Sequence, residues 1–150
     1  MAPEIITSKG HDKAVDYWAF GVLVYEMLVG RSAFFVRGSE TIALFKNIVQ
    51  VKYSIPQTVN GFARDLIQAL LVRNQSQRLG NLARGHLDIM EHPWFQSINF
   101  ATLTSKDMEA PWVPKVQDPF DVKAFERIDE ERKAKSKPLS KTEQQLFESF

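Results

Sequence analysis

The chain has no cysteine, which excludes disulfides, thiolate metal sites and a cysteine nucleophile. Histidine is scarce, at 11, 86 and 92, too widely spaced for a metal-ligand pattern. Neither sign of charge dominates: 19 Lys and Arg against 18 Asp and Glu leave a net +1. Nothing in that balance calls for nucleic acid or a membrane surface. The longest apolar run, Trp18 to Tyr25, falls far short of a bilayer span. The seven glycines are scattered, and none of them forms the G-x-G-x-x-G pattern that cradles nucleotide phosphates. Aromatic residues, by contrast, are plentiful. Eleven Phe and three Trp in 150 residues that are 44% hydrophobic imply a globular chain with large surfaces to bury.

Two textures divide the chain. To about Phe95, apolar helical stretches alternate with short breaks; beyond it Pro111, Pro114, Pro119 and Pro138 punctuate charged sequence. The first helix is expected over Lys13 to Val29. Its apolar residues point all round, as in a helix buried on every side, and Gly30 supplies the stop. Ser39 is the expected cap of a second helix, with Ile42, Leu44, Phe45 and Ile48 on its apolar side. Asn60 is the expected cap of a third, where Phe62, Leu66, Ile67, Leu70 and Leu71 recur at helical spacing. A short fourth covers Leu87 to Glu91. Val49 to Ile55 reads as extended loop, and no convincing strand appears. The fold class is mainly α. Three short helices can hardly surround the first, so its remaining partners are expected outside this sequence.

Short motifs follow in a definite order: Ala2-Pro3-Glu4; Asp16-Tyr17-Trp18-Ala19-Phe20-Gly21; Tyr25-Glu26-Met27; Arg78-Leu79-Gly80-Asn81; His92-Pro93-Trp94-Phe95. The end adds Ala110-Pro111-x-x-Pro114 and Phe147-Glu148-Ser149-Phe150. In this order and spacing the chain resembles the C-terminal half of AGC-family serine/threonine protein kinases, in which A-P-E ends the activation segment. Within that family it is most similar to the cyclic-nucleotide-dependent group, the cyclic-AMP branch ahead of the cyclic-GMP branch. The resemblance implies a partial kinase C-lobe over 1–95 and an extended AGC-kinase C-terminal tail over 96–150.

Roles for individual residues come with the resemblance. Spacing alone would leave Glu4 and Arg78 as solvated surface charges. The resemblance implies a buried salt bridge between them, holding the activation segment to the helical lobe. Asp16 implies an anchor for the catalytic loop; a plain N-terminal helix acid explains it equally well. Glu26 is the only charge between Asp16 and Gly30 in a very apolar helix, expensive unless it meets solvent or a cation. By resemblance it pairs with a substrate arginine two residues before the phosphoacceptor. Phe34 and Phe35 match the loop lining the adjoining substrate surface, although Ser32-Ala33 stands where the family has Pro-Pro.

In the tail, Phe147 and Phe150 match the terminal hydrophobic F-x-x-F motif. Phe125 matches the aromatic near the nucleotide, with Ile128 where the family has Tyr. Ser140 and Thr142 are candidate phosphosites, and the basic run Arg132 to Lys141 reads as a solvated segment.

Phosphoryl transfer needs a Gly-rich loop, a lysine on the phosphates, a catalytic Asp and a magnesium-binding Asp. The sequence has no H-R-D and no D-F-G. The expectation is therefore a piece of a longer kinase, with Met1 an internal methionine, inactive alone and with no cofactor of its own. The complete parent would use ATP and magnesium on protein substrates carrying basic residues before the Ser or Thr. It would be cytoplasmic, with the nucleus as second compartment. Its further partners would be the N-lobe and a cyclic-nucleotide-binding regulatory subunit. Two alternatives stand beside this one. One is a non-catalytic interaction module using the surface around Lys9, Glu26 and Phe45. The other is a poorly folding remnant.

Overall fold

Helix α1 (Pro3–Ile6) begins where Pro3 has its φ preset and no N–H to leave unpaired. The computed structural model describes residues 1–36, 38, 41–126 and 138–147. Among these residues six further helices follow α1: α2 (Ala14–Val29), α3 (Thr41–Gln50), α4 (Gly61–Leu70), α5 (Leu87–Met90), α6 (Phe100–Ser105) and α7 (Lys141–Gln145). Single 3₁₀ turns occupy Gln75–Gln77 and Pro93–Phe95. The described residues contain no strand, so the chain is the mainly helical molecule its periodicity predicts. It divides into two compact units, Met1–Glu109 and Ala110–Phe150.

The first unit is built on α2 packed against α4. Asp12 starts α2 by accepting the Ala14 N–H at 2.8 Å. Gly30, at φ 76°, ends it by donating to the Glu26 carbonyl, a left-handed conformation that glycine adopts without strain. Gly21 sets the spacing between the helices, because a Cβ there would stand 2.8 Å from Leu70 Cβ. Leu66, Ile67 and Leu70 of α4 are fully buried beneath it. Asn60 caps α4 as expected, accepting the Phe62 N–H at 2.8 Å.

The structure differs from the sequence reading at several points. α2 buries one stripe (Ala14, Trp18, Gly21, Val24, Tyr25) and leaves Leu23, Met27 and Leu28 exposed. Ile42, expected on the apolar side of α3, is 85% exposed. At ~100° per residue it lies about 200° round from Leu44, and Leu44, Phe45 and Ile48 make the inward face. Helix α3 also runs to Gln50, into the stretch read as loop. The Ser39 cap lies outside the described residues. The fourth helix closes one residue early, with Glu91 as its C-cap. α1, α6 and α7 are too short to show periodicity, and only start signals mark them: Pro3, the Asn99 cap and Ser140-x-x-Glu143.

Two straps fix the segment after α3. The Tyr25 hydroxyl donates to the Ser54 carbonyl at 2.8 Å. The Arg64 guanidinium donates to the carbonyls of Ile55 and Pro56. Tyr53, Phe34 and Trp18 then form a continuous aromatic contact, with Trp18 stacked on Phe34 at 5.5 Å between ring centroids. His92 locks the opposite end: its Nδ1 accepts the Trp94 N–H, and its Nε2 lies 3.0 Å from Asp65 Oδ2. With Nδ1 an acceptor, Nε2 carries the proton.

The second unit, by itself, is mostly exposed chain. Its helix α7 has a full capping box, in which the Ser140 hydroxyl accepts the Glu143 N–H while the Glu143 carboxylate accepts the Ser140 N–H.

Candidate functional site

The best-built polar arrangement joins the start of the first unit to the chain that follows α4. Helix α1 carries Glu4, and a 3₁₀ turn capped by Asn74 delivers Arg78 in extended conformation. Arg78 is wholly buried and Glu4 nearly so. Arg78 Nη1 donates to Glu4 Oε1 at 2.7 Å and Nη2 to Oε2 at 3.0 Å, a two-pronged pair. The remaining donors go to backbone: Nη1 to the Ala14 carbonyl at 2.6 Å, Nε and Nη2 to the Val72 carbonyl at 3.1 and 3.0 Å. Every N–H of the guanidinium therefore has an acceptor. The charged group lies 5.1 Å from the Trp18 ring centroid, a cation–π contact inside the core. One side chain thus ties together α1, the start of α2 and the chain after α4.

Burial alone would raise the Glu4 carboxyl. The Arg78 hydrogen bonds and charge overcome that and hold it below its ordinary value of 4.5. Gly80, at φ 91°, lets the chain after Arg78 pass close to its neighbours; a Cβ there would meet Ile89 Cδ1 at 2.7 Å and the Tyr17 ring at 2.8 Å.

Glu26 lies in the last turn of α2, exposed. It makes no ion pair among the described residues, so its carboxylate is open to a cation from outside. Phe34 and Phe35 part company. Phe34 is a core residue, 2% exposed and stacked on Trp18, so no substrate can reach it; Phe35 is exposed. Between them, Tyr25, Phe35 and Tyr53 help to line a cleft of about 320 Å³ at the ends of α2 and α3.

Asp16 lies in the first turn of α2, exposed, with no side-chain hydrogen bond recorded among the described residues. The neighbouring Asp12, which sequence reasoning passed over, holds the helix start instead. Its position two residues before Ala14 was the available signal.

In the second unit Phe125 and Phe147 are exposed. Ser140 is engaged in the α7 cap, and Thr142 stands exposed in its first turn. Phe150 and Ile128 lie outside the described residues.

Among the described residues the Glu4–Arg78 pair braces the first unit, and Glu26 stands open to solvent. Among the described residues no cluster of three or more His, Asp or Glu could hold a metal ion. The described residues do not fit ATP with magnesium, because they supply neither a glycine-rich cradle nor paired carboxylates for the ion.

Comparison with known proteins agrees with this architecture. The family model "Protein kinase domain" matches residues 1–95. The chain is 41% identical over 140 residues to the cAMP-dependent protein kinase catalytic subunit of Dictyostelium discoideum, covering 93% of this chain and 21% of that protein. It is 38% identical over 150 residues to the cAMP-dependent protein kinase catalytic subunit 3 of Drosophila melanogaster, covering all of this chain and 25% of that one. It is 35% identical over 150 residues to the mouse cAMP-dependent protein kinase catalytic subunit PRKX, covering 42% of it. The chain thus spans about a fifth to two fifths of the length of these relatives. A family match over 1–95, in a helical unit braced by the Glu4–Arg78 pair, means that the chain belongs to the protein kinase family.

Proposed function

We propose that these 150 residues are the substrate-docking part of a serine/threonine protein kinase of the cyclic-AMP-dependent type. The complete enzyme would transfer the γ-phosphoryl group of ATP, with magnesium, to Ser or Thr of basic protein substrates. In this reading Glu26 receives a substrate arginine, and the Glu4–Arg78 pair holds the activation-segment end against the helical lobe. Residues 96–150 serve as an AGC-type tail. There Phe125 lies toward the nucleotide, Phe147 and Phe150 form the docking motif, and Ser140 and Thr142 are the phosphorylation sites. The working compartment is the cytoplasm, with the nucleus second, and a cyclic-nucleotide-binding regulatory subunit is the expected partner. On its own the chain binds and does not catalyse, since it supplies no group for the phosphates, the metal or the hydroxyl proton.

The observation that carries this reading is the exposed Glu26 carboxylate, without an ion pair among the described residues, at the end of a helix whose other face is core. The test is binding of a labelled Arg-Arg peptide to the purified chain, followed by fluorescence anisotropy. Glu26→Ala should remove at least tenfold of the affinity, the scale of a charge-assisted pair, and leave the thermal melt unchanged. Equal binding by the variant would overturn the assignment. Magnesium- and ATP-dependent phosphorylation of the peptide by the 150 residues would overturn the claim that they are inactive alone.

A second reading, an interaction module, draws on the surface around Lys9, Glu26 and Phe45. Capture of a cyclic-nucleotide-binding regulatory subunit by the purified chain, lost on Glu26→Ala, would favour it.

A further inference from the structure

The cleft of about 320 Å³ beyond the C-terminal ends of α2 and α3 has a definite charge. Arg31 and Lys52 stand on its walls with Ser32, Asn47, Tyr53 and Ser54, and no acid lines it among the described residues. Its shape is fixed by backbone. Val51 takes a left-handed φ of 54°; its N–H donates to the Ile48 carbonyl and the Lys52 N–H to the Asn47 carbonyl at 2.8 Å. That pair of bonds is a Schellman closure, and it sets Lys52 and Tyr53 at the cleft.

The end of each helix carries only about half a negative charge. Two full cations exceed that, so the mouth is net positive. Burial, and then the neighbouring Tyr25 phenol, push the Tyr53 hydroxyl upward, so it stays protonated and able to donate. Neither Arg31 nor Lys52 is in an ion pair among the described residues. Two cations and a protonated phenol, beside the hydroxyls of Ser32 and Ser54 and the amide of Asn47, which can also donate, supply the chemistry of a carboxylate receptor. Tyr25, on the wall of this cleft, directly precedes Glu26 in the chain. A polypeptide laid on Glu26 therefore has this cleft within its reach.

We propose that the Arg31–Lys52 cleft is a second specificity site, which takes an acidic side chain of the same polypeptide whose arginine meets Glu26. The preferred partner is then bipolar, with a basic cluster flanked by Asp or Glu, rather than uniformly basic. This rests on the Glu26 reading above and deepens it.

The test uses the full 150-residue chain and labelled Arg-Arg peptides extended on one side or the other by a short run of Glu or of Gln. One Glu-extended peptide should bind about fivefold tighter than its Gln counterpart at low salt, the scale of exposed ion pairs, and the gain should shrink as salt rises. Arg31→Gln with Lys52→Gln should erase that gain while keeping affinity for the Gln peptide. Arg31→Glu with Lys52→Glu should reverse it in favour of a Lys extension. Both side chains are exposed, so folding is not at stake, and the thermal melt checks it. No Glu preference on either side, or a preference that survives the double Gln variant, overturns the proposal. Loss of Arg-peptide binding in Glu26→Ala together with no Glu preference sinks this site and spares Glu26. A Glu preference that needs Arg31 and Lys52, with binding indifferent to Glu26→Ala, does the reverse. Failure of every peptide to bind overturns both.

Discussion

Removing the Glu4 carboxylate by Glu4→Ala leaves the Arg78 guanidinium buried without its counter-charge. Two hydrogen bonds disappear, at 2.7 and 3.0 Å, and the cation remains where its relative exposure is 0%. Breaking a buried pair from one side costs about 3–5 kcal/mol, most of it the penalty of the stranded charge. Domains of this size have about 5–15 kcal/mol in total, so about a fifth or more of the stability rests on one carboxylate. Equilibrium urea unfolding of the 150-residue chain, followed by tryptophan fluorescence, measures it directly. The Trp18 ring under Arg78 makes the signal local as well as global.

Two controls sharpen the argument. Glu4→Leu combined with Arg78→Met removes both charges and keeps volume, so it should recover part of the loss. Recovery should stop short by about 1–3 kcal/mol, because the Val72 carbonyl, which receives Nε and Nη2, is left without its donors. Acid provides the second control. The Glu4 carboxyl is held below 4.5 in the folded chain, so its contribution is full above that value and is lost as pH falls through the lowered folded value. Glu4→Ala should lack this component of the acid transition. A cost below about 1 kcal/mol for Glu4→Ala would place the pair among surface ion pairs and refute the reasoning. So would a double variant as unstable as the single one.

Three further outcomes follow from the geometry. Val51→Gly should leave stability within about 1 kcal/mol, since the ~1–2 kcal/mol relieved at a left-handed β-branched residue offsets the glycine entropy and the loss of a half-buried side chain packed on the core; a loss of about 2 kcal/mol or more in urea unfolding would mean that the turn holds no strain. Gly21→Ala should destabilise by about 1–2 kcal/mol despite the better helix propensity, because the new Cβ would lie 2.8 Å from Leu70 Cβ and 3.0 Å from Leu71 Cδ2; a gain in urea midpoint would show that α2 and α4 can part freely. Leu23→Gln with Met27→Gln should leave stability within about 0.5 kcal/mol and raise solubility, as both side chains are exposed; a large drop in Tm would show that they are packed in solution.

The sequence made some of this legible for physical reasons that can be named. Asn60 and Gly30 could be read because a cap and a stop each depend on one residue's own chemistry. Glu4 and Arg78 are 74 positions apart, and no local rule links them; only the order of the motifs did. Phe34 and Phe35 were inseparable in sequence, since neighbours on an irregular loop have no fixed period, yet one is core and the other surface. Val51 was invisible because a left-handed helix closure is read from glycine or asparagine, and here a β-branched residue fills it. The Arg31–Lys52 cleft was equally hidden, for its walls come from the ends of two helices and the turn after each.

Helix α2 shows where periodicity reasoning has its limit. Apolar residues on every side say that each side favours burial; they do not say which neighbour provides it. In the structure the stripe from Ala14 to Tyr25 has its neighbour in α4, and Gly21 is the evidence, since glycine is needed only where another helix comes this close. Leu23 and Met27 are one turn apart on the other side, at 53% and 77% exposure. Glu26 sits between them in the chain. Water reaches a carboxylate in that setting, and it is the only charge of α2 beyond Asp16. Exposure therefore turns the residue that looked most expensive in the sequence into the one best placed to meet a cation.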